Sequence, residues 1–181
     1  DINQTTIGSS PYQFTEYNGK LYFGADEFNT GREVWVYDPS TGNVDILSDL
    51  PGNTAPNNFT VLDNKLYFSG VFPEVGYGLL VYDEAEGSIT PTSFITPNNT
   101  GHIAEIIALD GKLFFNAFDE VMGTELHVFD PTTNSAEVYI DLNPGEDDSN
   151  PEQLTVFENE LFFQANDGLT GVELWKYNPG A

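Results

Sequence analysis

The residues best equipped for chemistry are acids that recur in register. Glu27, Asp119 and Asp167 share one aligned position of a repeated loop, and Glu33, Glu125 and Glu173 share another a few residues on. The second copy of that loop carries Phe72 and Gly78 instead. A carboxylate at each end of a short loop could clamp a calcium ion, with backbone carbonyls completing the shell. The same acids could equally accept hydrogen bonds from the loop's own amides and fix its turn. Paired carboxylates also suit glycoside hydrolysis, but a catalytic pair is normally unique within a domain, and similar copies argue against it. A second acidic feature runs through Asp141, Asn143, Gly145, Asp147 and Asp148. Its oxygen ligands alternate as in an abbreviated calcium loop, without a clear closing glutamate; the alternative is a solvated acidic loop. Calcium is the cofactor these residues suggest.

Other chemistries find less support. His127 stands where Trp35 and Trp175 stand in other copies, which reads as a packing substitution, and His102 lies in a connector. Neither has a serine in a nucleophile-like context, so a hydrolytic triad is not expected. Cysteine is absent, which removes disulfides and thiolate metal sites, and two scattered histidines do not make a zinc site. Five Lys plus Arg against 29 Asp plus Glu give a net charge of −24, which repels nucleic acid and anionic lipid headgroups. No apolar run is long enough for a helix to insert into a membrane. The expected partners are therefore proteins, including copies of this chain, or glycans. Phe28, Phe72, Tyr77 and Phe118 lie outside the strand centres and could stack on sugars or meet a protein, although packing between sheets is the commoner fate of such rings.

The acids are carried by a tandem repeat. Gly19 to Asp38, GKLYFGADEFNTGREVWVYD, recurs at Asn64 to Asp83, Gly111 to Asp130 and Asn159 to Asn178, in steps of 45 to 48 residues. Units of about 1–48, 49–96, 97–140 and 141–181 account for the chain as one repeat domain, in which each unit buries its apolar faces against its neighbours. Asn18-Gly19, Asp63-Asn64, Asp110-Gly111 and Glu158-Asn159 supply two-residue hairpin turns. A loop at about Asp26 to Gly31 leads to a third strand, and Pro39 to Gly42, Glu84 to Gly87 and Pro131 to Asn134 turn into a fourth. Lys20, Lys65 and Lys112 follow the hairpin turns as solvated charges, any of which could pair with a nearby acid at little net gain, with Glu160 in the fourth place. About fifteen strands and no helical periodicity make the class all-β. Segments such as LYF and VWVY are apolar on both faces, as in sheets covered on both sides. Four blades of four antiparallel strands describe a β-propeller; a β-solenoid is the alternative.

Asp1-Ile2-Asn3 matches Asp49-Leu50-Pro51 and Asp141-Leu142-Asn143, so the chain opens on what reads as the tail of a preceding unit, polar from its first residue; either a leader has been removed or this is part of a longer chain. The fourth unit shows three strands. Asp1, Ile2 and Asn3 at one end, and Trp175 and Tyr177 at the other, thus mark a candidate interaction edge, completed by the N-terminal segment or by another chain, unless the four units are an excerpt from a larger ring or a long array.

Leu161 to Gly180 and Asp141 to Phe163, taken together, resemble the ELWxxDGT repeats of bacterial extracellular proteins. Glu173-Leu174-Trp175 matches the Glu-Leu-Trp core fully, Glu125-Leu126-His127 and Glu33-Val34-Trp35 match two positions, and Gly78-Leu79-Leu80 matches the leucine; no unit carries the Asp-Gly-Thr ending. The resemblance implies a secreted or surface location and little chemistry. The expectation is a non-enzymatic extracellular structural or interaction module, joined to others by strand complementation in a surface assembly or filament. A calcium-dependent, carbohydrate-binding propeller is the alternative.

Overall fold

The computed structural model describes residues 2, 8–48, 50, 52–96 and 102–178. Fifteen strands are described: β1 (Tyr12–Tyr17), β2 (Lys20–Glu27), β3 (Gly31–Asp38), β4 (Asn43–Ile46), β5 (Asn57–Leu62), β6 (Lys65–Phe72), β7 (Gly76–Asp83), β8 (Ser88–Thr96), β9 (Ile103–Leu109), β10 (Lys112–Asp119), β11 (Gly123–Asp130), β12 (Ser135–Ile140), β13 (Glu152–Phe157), β14 (Glu160–Asn166) and β15 (Val172–Tyr177). They form four antiparallel meanders in chain order: sheet 1 (β1–β4), sheet 2 (β5–β8), sheet 3 (β9–β12) and the three-stranded sheet 4 (β13–β15). The opening strands β1, β5, β9 and β13 lie beside one another in succession. The arrangement is propeller-like.

The hairpin turns form where the sequence places them. Both central residues have positive φ in every copy, from Asn18 (51°) and Gly19 (74°) to Glu158 (49°) and Asn159 (62°). This is the backbone that matches the twist of the flanking strands. The turn into the fourth strand is fixed by the acid that closes β3, β7 or β11. Asp38 Oδ1 accepts from Ser40 N (2.8 Å), Asp83 Oδ1 from Ala85 N (2.9 Å) and Asp130 Oδ1 from Thr132 N (2.9 Å). The turn-flanking lysines pair with these acids: Lys65 Nζ lies 3.0 Å from Asp83 and Lys112 Nζ 3.5 Å from Asp130. Sheet 4 exchanges the signs, with Lys176 on Glu160 at 2.9 Å. Such exposed pairs add little stability.

Two features differ from the sequence reading. The loop expected over Asp26 to Gly31 is shorter, because β2 continues to Glu27 and β3 starts at Gly31. Each opening strand also carries a bulge. Gln13, Asn58, Glu105 and Gln153 have φ between 53° and 60°, and the ladder shifts register beside each of them. Their side chains tie one opening strand to the next: Asn58 N donates to Gln13 Oε1, Asn58 Nδ2 to the Ile103 carbonyl (3.0 Å) and Leu154 N to Glu105 Oε2 (2.8 Å).

Because successive strand residues point to opposite faces, each sheet sends one apolar set to each neighbour. Tyr17, Tyr22 and Val34 of sheet 1 pack on Leu66, Phe68 and Leu80 of sheet 2. Tyr67 and Leu79 of sheet 2 pack on Leu113, Phe115 and Ala117 of sheet 3. Leu109, Phe114 and Leu126 of sheet 3 pack on Leu161, Phe163 and Ala165 of sheet 4. On the outer face of sheet 1, Phe23, Ala25 and Trp35 form a smaller cluster with Ile2, Leu21 and Ile46.

Candidate functional site

The two acids of each repeated loop serve different partners. Glu27 Oε2 accepts from Asn29 N (2.8 Å) and Thr30 N (2.9 Å), Asp119 Oδ1 from Val121 N and Met122 N, and Asp167 Oδ1 from Leu169 N and Thr170 N. These amide bonds hold the Glu27 and Asp167 carboxyls below the ordinary carboxylate range. This position fixes its own turn.

The second acid is a junction element. Glu33 is buried; its Oε2 accepts from Ser48 Oγ (2.6 Å) and from Thr54 Oγ1 (2.5 Å), both on the linker that leads to sheet 2. Glu125 is buried too, and accepts from Ser149 N (2.9 Å), Ser149 Oγ and Leu142 N (3.2 Å) of the linker to sheet 4. Burial raises the Glu125 carboxyl above its ordinary value, with the three donors pulling the other way. Two backbone features complete the junction. The linker carbonyl of Thr54 accepts from Val71 N (2.8 Å), as that of Ser149 does from Asn166 N (2.9 Å). Ala55 N then donates back to Arg32 O, and Asn150 N to Thr124 O, both at 3.0 Å.

The acidic loop proves to be this same linker, so Glu125 and the Asp141–Asp148 segment come together. Asp148 Oδ1 accepts from Thr124 N (2.6 Å), its carbonyl accepts from Asn143 Nδ2 (3.2 Å), and Asp141 Oδ2 accepts from Gly145 N (3.4 Å). Asp147 is exposed. Asp141 Oδ1 is buried and has no hydrogen-bond partner among the described residues. Among those residues no three acids or histidines are gathered so as to hold a metal ion.

The other candidates are placed as follows. Glu173 is exposed, unlike the aligned Glu33 and Glu125. Trp175 donates through Nε1 to the Ala165 carbonyl (3.1 Å), Tyr177 lies tilted against Phe114 and Tyr139, and both pack on the cluster shared with sheet 3, while their strand forms the last edge of sheet 4. Ile2 packs on sheet 1, and Asp1 and Asn3 lie outside the described residues. His127 is a core residue: its Nδ1 lies 3.0 Å from the Glu125 carbonyl, its ring stacks on Phe115, and burial lowers its basicity. Phe72 and Tyr77 pack against the sheet cores, whereas Phe28 and Phe118 are exposed. An open cleft of about 490 Å³ lies between the starts of β9 and β13, lined by His102, Glu105, Asn116, Phe118 and Gln153 among others.

What sequence reasoning missed is the uncovered face of sheet 4. Leu174 is 75% exposed, while the aligned Val34, Leu79 and Leu126 are 0% exposed. Phe157 is 60% exposed, against 2% for the aligned Tyr17 and 5% for Leu109. The repeat alignment carried the signal, because it gives sheet 4 the same two apolar faces as the sheets that are covered on both.

No protein-family model and no curated protein matches the sequence. Among solved structures, the chain is similar to a puromycin-hydrolyzing peptidase of Mycobacterium tuberculosis (TM-score 0.56, 15% identity, 86% of this chain, 25% of that one). It is similar also to a puromycin hydrolase (TM-score 0.53, 16% identity, 86% and 25%) and to TolB from Acinetobacter baumannii (TM-score 0.56, 13% identity, 90% and 39%). The chain thus spans a quarter of the two hydrolases and 39% of TolB. At these identities the likeness shows the propeller-like fold alone.

Proposed function

We propose that the chain is a non-enzymatic structural and interaction module acting outside the cell, in which propeller-like blades stack and associate with further blades beyond the described ones. The observation that carries this reading is the outer face of sheet 4, where Leu174 is 75% exposed at a position that is 0% exposed in each of the other sheets. Burying a side chain of that size is worth about 1.5–3 kcal/mol, so the face gains by finding a cover. The acids support the same reading, because Glu33 and Glu125 hold linkers and Glu27, Asp119 and Asp167 hold turns. The extracellular setting is supported by the resemblance of the repeats. Sedimentation from dilute to concentrated solution tests the reading: particles heavier than the 20.0 kDa chain support it, and an unchanging 20.0 kDa refutes it.

A calcium-ordered, glycan-binding rim is the second reading, and the buried, unpartnered Asp141 Oδ1 favours it. A calcium titration followed by calorimetry and glycan binding checks it; no heat and no calcium-dependent binding would remove it.

A further inference from the structure

We propose that the cleft between sheets 3 and 4 binds an uncharged pyranose sugar, with Phe118 as its stacking face and the surrounding amides, hydroxyl and carboxylates as hydrogen-bond partners. The site is independent of blade stacking, and it differs from the calcium-ordered rim in that no metal takes part.

The cleft exists because the repeat changes at this junction. In sheet 1, Tyr12 stands opposite Gly24 on the neighbouring strand, and a Cβ on that glycine would lie only 2.5 Å from the Tyr12 ring. The Tyr12 hydroxyl donates to the Pro56 carbonyl on the linker to sheet 2 at 2.9 Å. The Arg32 guanidinium lies 5.8 Å from the centre of the same ring and pairs with Asp26 at 2.9 Å. Tyrosine, arginine and aspartate thus plug the first junction. At the second junction Tyr77, aligned with Arg32, brings its hydroxyl to 3.5 Å from the Ile103 carbonyl, the counterpart of Pro56.

Sheet 3 has lost the plug. Ala104 stands for Tyr12, Asn116 for Gly24, Thr124 for Arg32 and Phe118 for Asp26, in the same register. Asn116 keeps the hydrogen bond, donating through Nδ2 to the Pro151 carbonyl at 2.8 Å. An amide does not fill the place of a phenol and a guanidinium, and about 490 Å³ is left open. That is an ordinary size for a small-ligand site.

The lining selects the ligand. Beside Phe118, which is 38% exposed, the walls carry the amides of Asn150 and Gln153, the Thr124 hydroxyl and the carboxylates of Glu105 and Glu152. One oxygen of Glu105 accepts from Leu154 N (2.8 Å) and one of Glu152 from Gln164 Nε2 (3.0 Å), which leaves the other of each to accept from a ligand. A hydrocarbon or phenol group would strip water from these polar groups and return one hydrogen bond at most, an uncompensated cost. A pyranose offers a C–H face to the ring and hydroxyls to the amides and carboxylates. Neither lysine nor arginine lines the cleft, and its two acids, with the −24 charge of the chain, repel an acidic sugar. A second hollow of about 310 Å³ shares Glu105 and Gln153 with the first and continues between β9 and β13, which gives the second ring of a disaccharide a place.

Magnetic resonance of the isotope-labelled chain, titrated in EDTA with cellobiose, lactose, mannobiose and N,N′-diacetylchitobiose, tests the site. At least one of these is expected to bind saturably with a dissociation constant of about 5 mM or tighter, moving the amide signals of Ala104, Thr124 and Gln153. Ala104→Tyr together with Asn116→Gly rebuilds the Tyr12–Gly24 pair of sheet 1, so it fills the cleft with packing the fold already uses, and it should weaken binding at least about tenfold. Phe118→Ala, at an exposed position, should do the same, and it decides alone if the double variant does not fold. No binding by any of the disaccharides, shifts confined to other sheets, or undiminished binding in either folded variant overturns the proposal. Binding that appears only with calcium moves the sugar to the acidic rim, and tighter binding of p-cresol than of every sugar makes the cleft a socket for a tyrosine side chain; each of these also overturns it. None of these results bears on the mass of the particle, by which the interaction-module reading stands or falls.

Discussion

Leu126 and Leu174 occupy the same position of two repeats, so replacing each by alanine compares one chemistry in two environments. Leu126 is fully buried among Leu109, Phe114, Leu161, Phe163 and Ala165. These neighbours sit on hydrogen-bonded strands that cannot easily collapse into the space. The cost therefore falls in the usual range for a buried leucine, about 3 kcal/mol. For a chain of this length each kcal/mol lowers the midpoint of thermal unfolding by about 2–4 °C, so Leu126→Ala is expected to lose about 6–12 °C. Leu174 is 75% exposed, and its truncation should stay within about 0.5 kcal/mol in dilute solution. Thermal and urea unfolding at sub-micromolar concentration, followed by circular dichroism, give both numbers. Hydrogen exchange adds the location, since stability in stacked repeats is set by nearest-neighbour interfaces and sheet 4 should lose protection first in Leu126→Ala. Equal losses for the two variants would refute the reasoning, because they would mean that the outer face of sheet 4 is covered within the single chain.

Other outcomes follow from the same contacts. Glu125 has its carboxyl raised above the ordinary 4.5 by burial, so the folded state holds that proton more tightly than the unfolded state; the stability it contributes is complete below about pH 4.5 and is lost as pH rises through the raised value. Glu125→Gln removes that loss, and its stability relative to wild type should improve between pH 4 and pH 7 in urea titrations; a constant difference would contradict the assignment. Asp38, Asp83 and Asp130 act in the opposite sense, their carboxyls held below 3.8, so their share is present above that value and fades as pH falls through their lowered ones. Gly19→Ala puts a Cβ into open space at a φ of 74° and should cost about 1 kcal/mol from backbone conformation alone. Gly78→Ala drives a Cβ into the Phe94 carbonyl across the β7–β8 pair and should cost about 3 kcal/mol; similar losses for both glycines in the same urea series would show that the close approach at Gly78 is absent.

Much of the fold was legible because the devices that specify it are local. Asn18-Gly19 and its three counterparts announce hairpins through two adjacent positive-φ residues, and Asp38, Asp83 and Asp130 stand immediately before the turns they fix. The bulges were not legible in any single strand, since Gln13 or Glu105 looks like any polar strand residue. A polar side chain at the same place in all four opening strands was the available signal. The second acid was harder still. Glu33 and Glu125 find their donors on a linker that follows the fourth strand, beyond the reach of a local reading, which therefore left calcium and the loop's own amides as the alternatives. The edge residues Trp175 and Tyr177 were chosen for their place in the chain, whereas strand alternation turns their side chains inward and leaves Val172 and Leu174 outside.

The most direct test of the account is the mass of the wild-type particle by analytical ultracentrifugation, across a concentration series at low and moderate salt. Each chain carries −24 charges, and moderate salt screens their repulsion over about 10 Å. The account predicts species heavier than 20.0 kDa that grow with concentration and grow further with salt. A single 20.0 kDa species under every condition would contradict it.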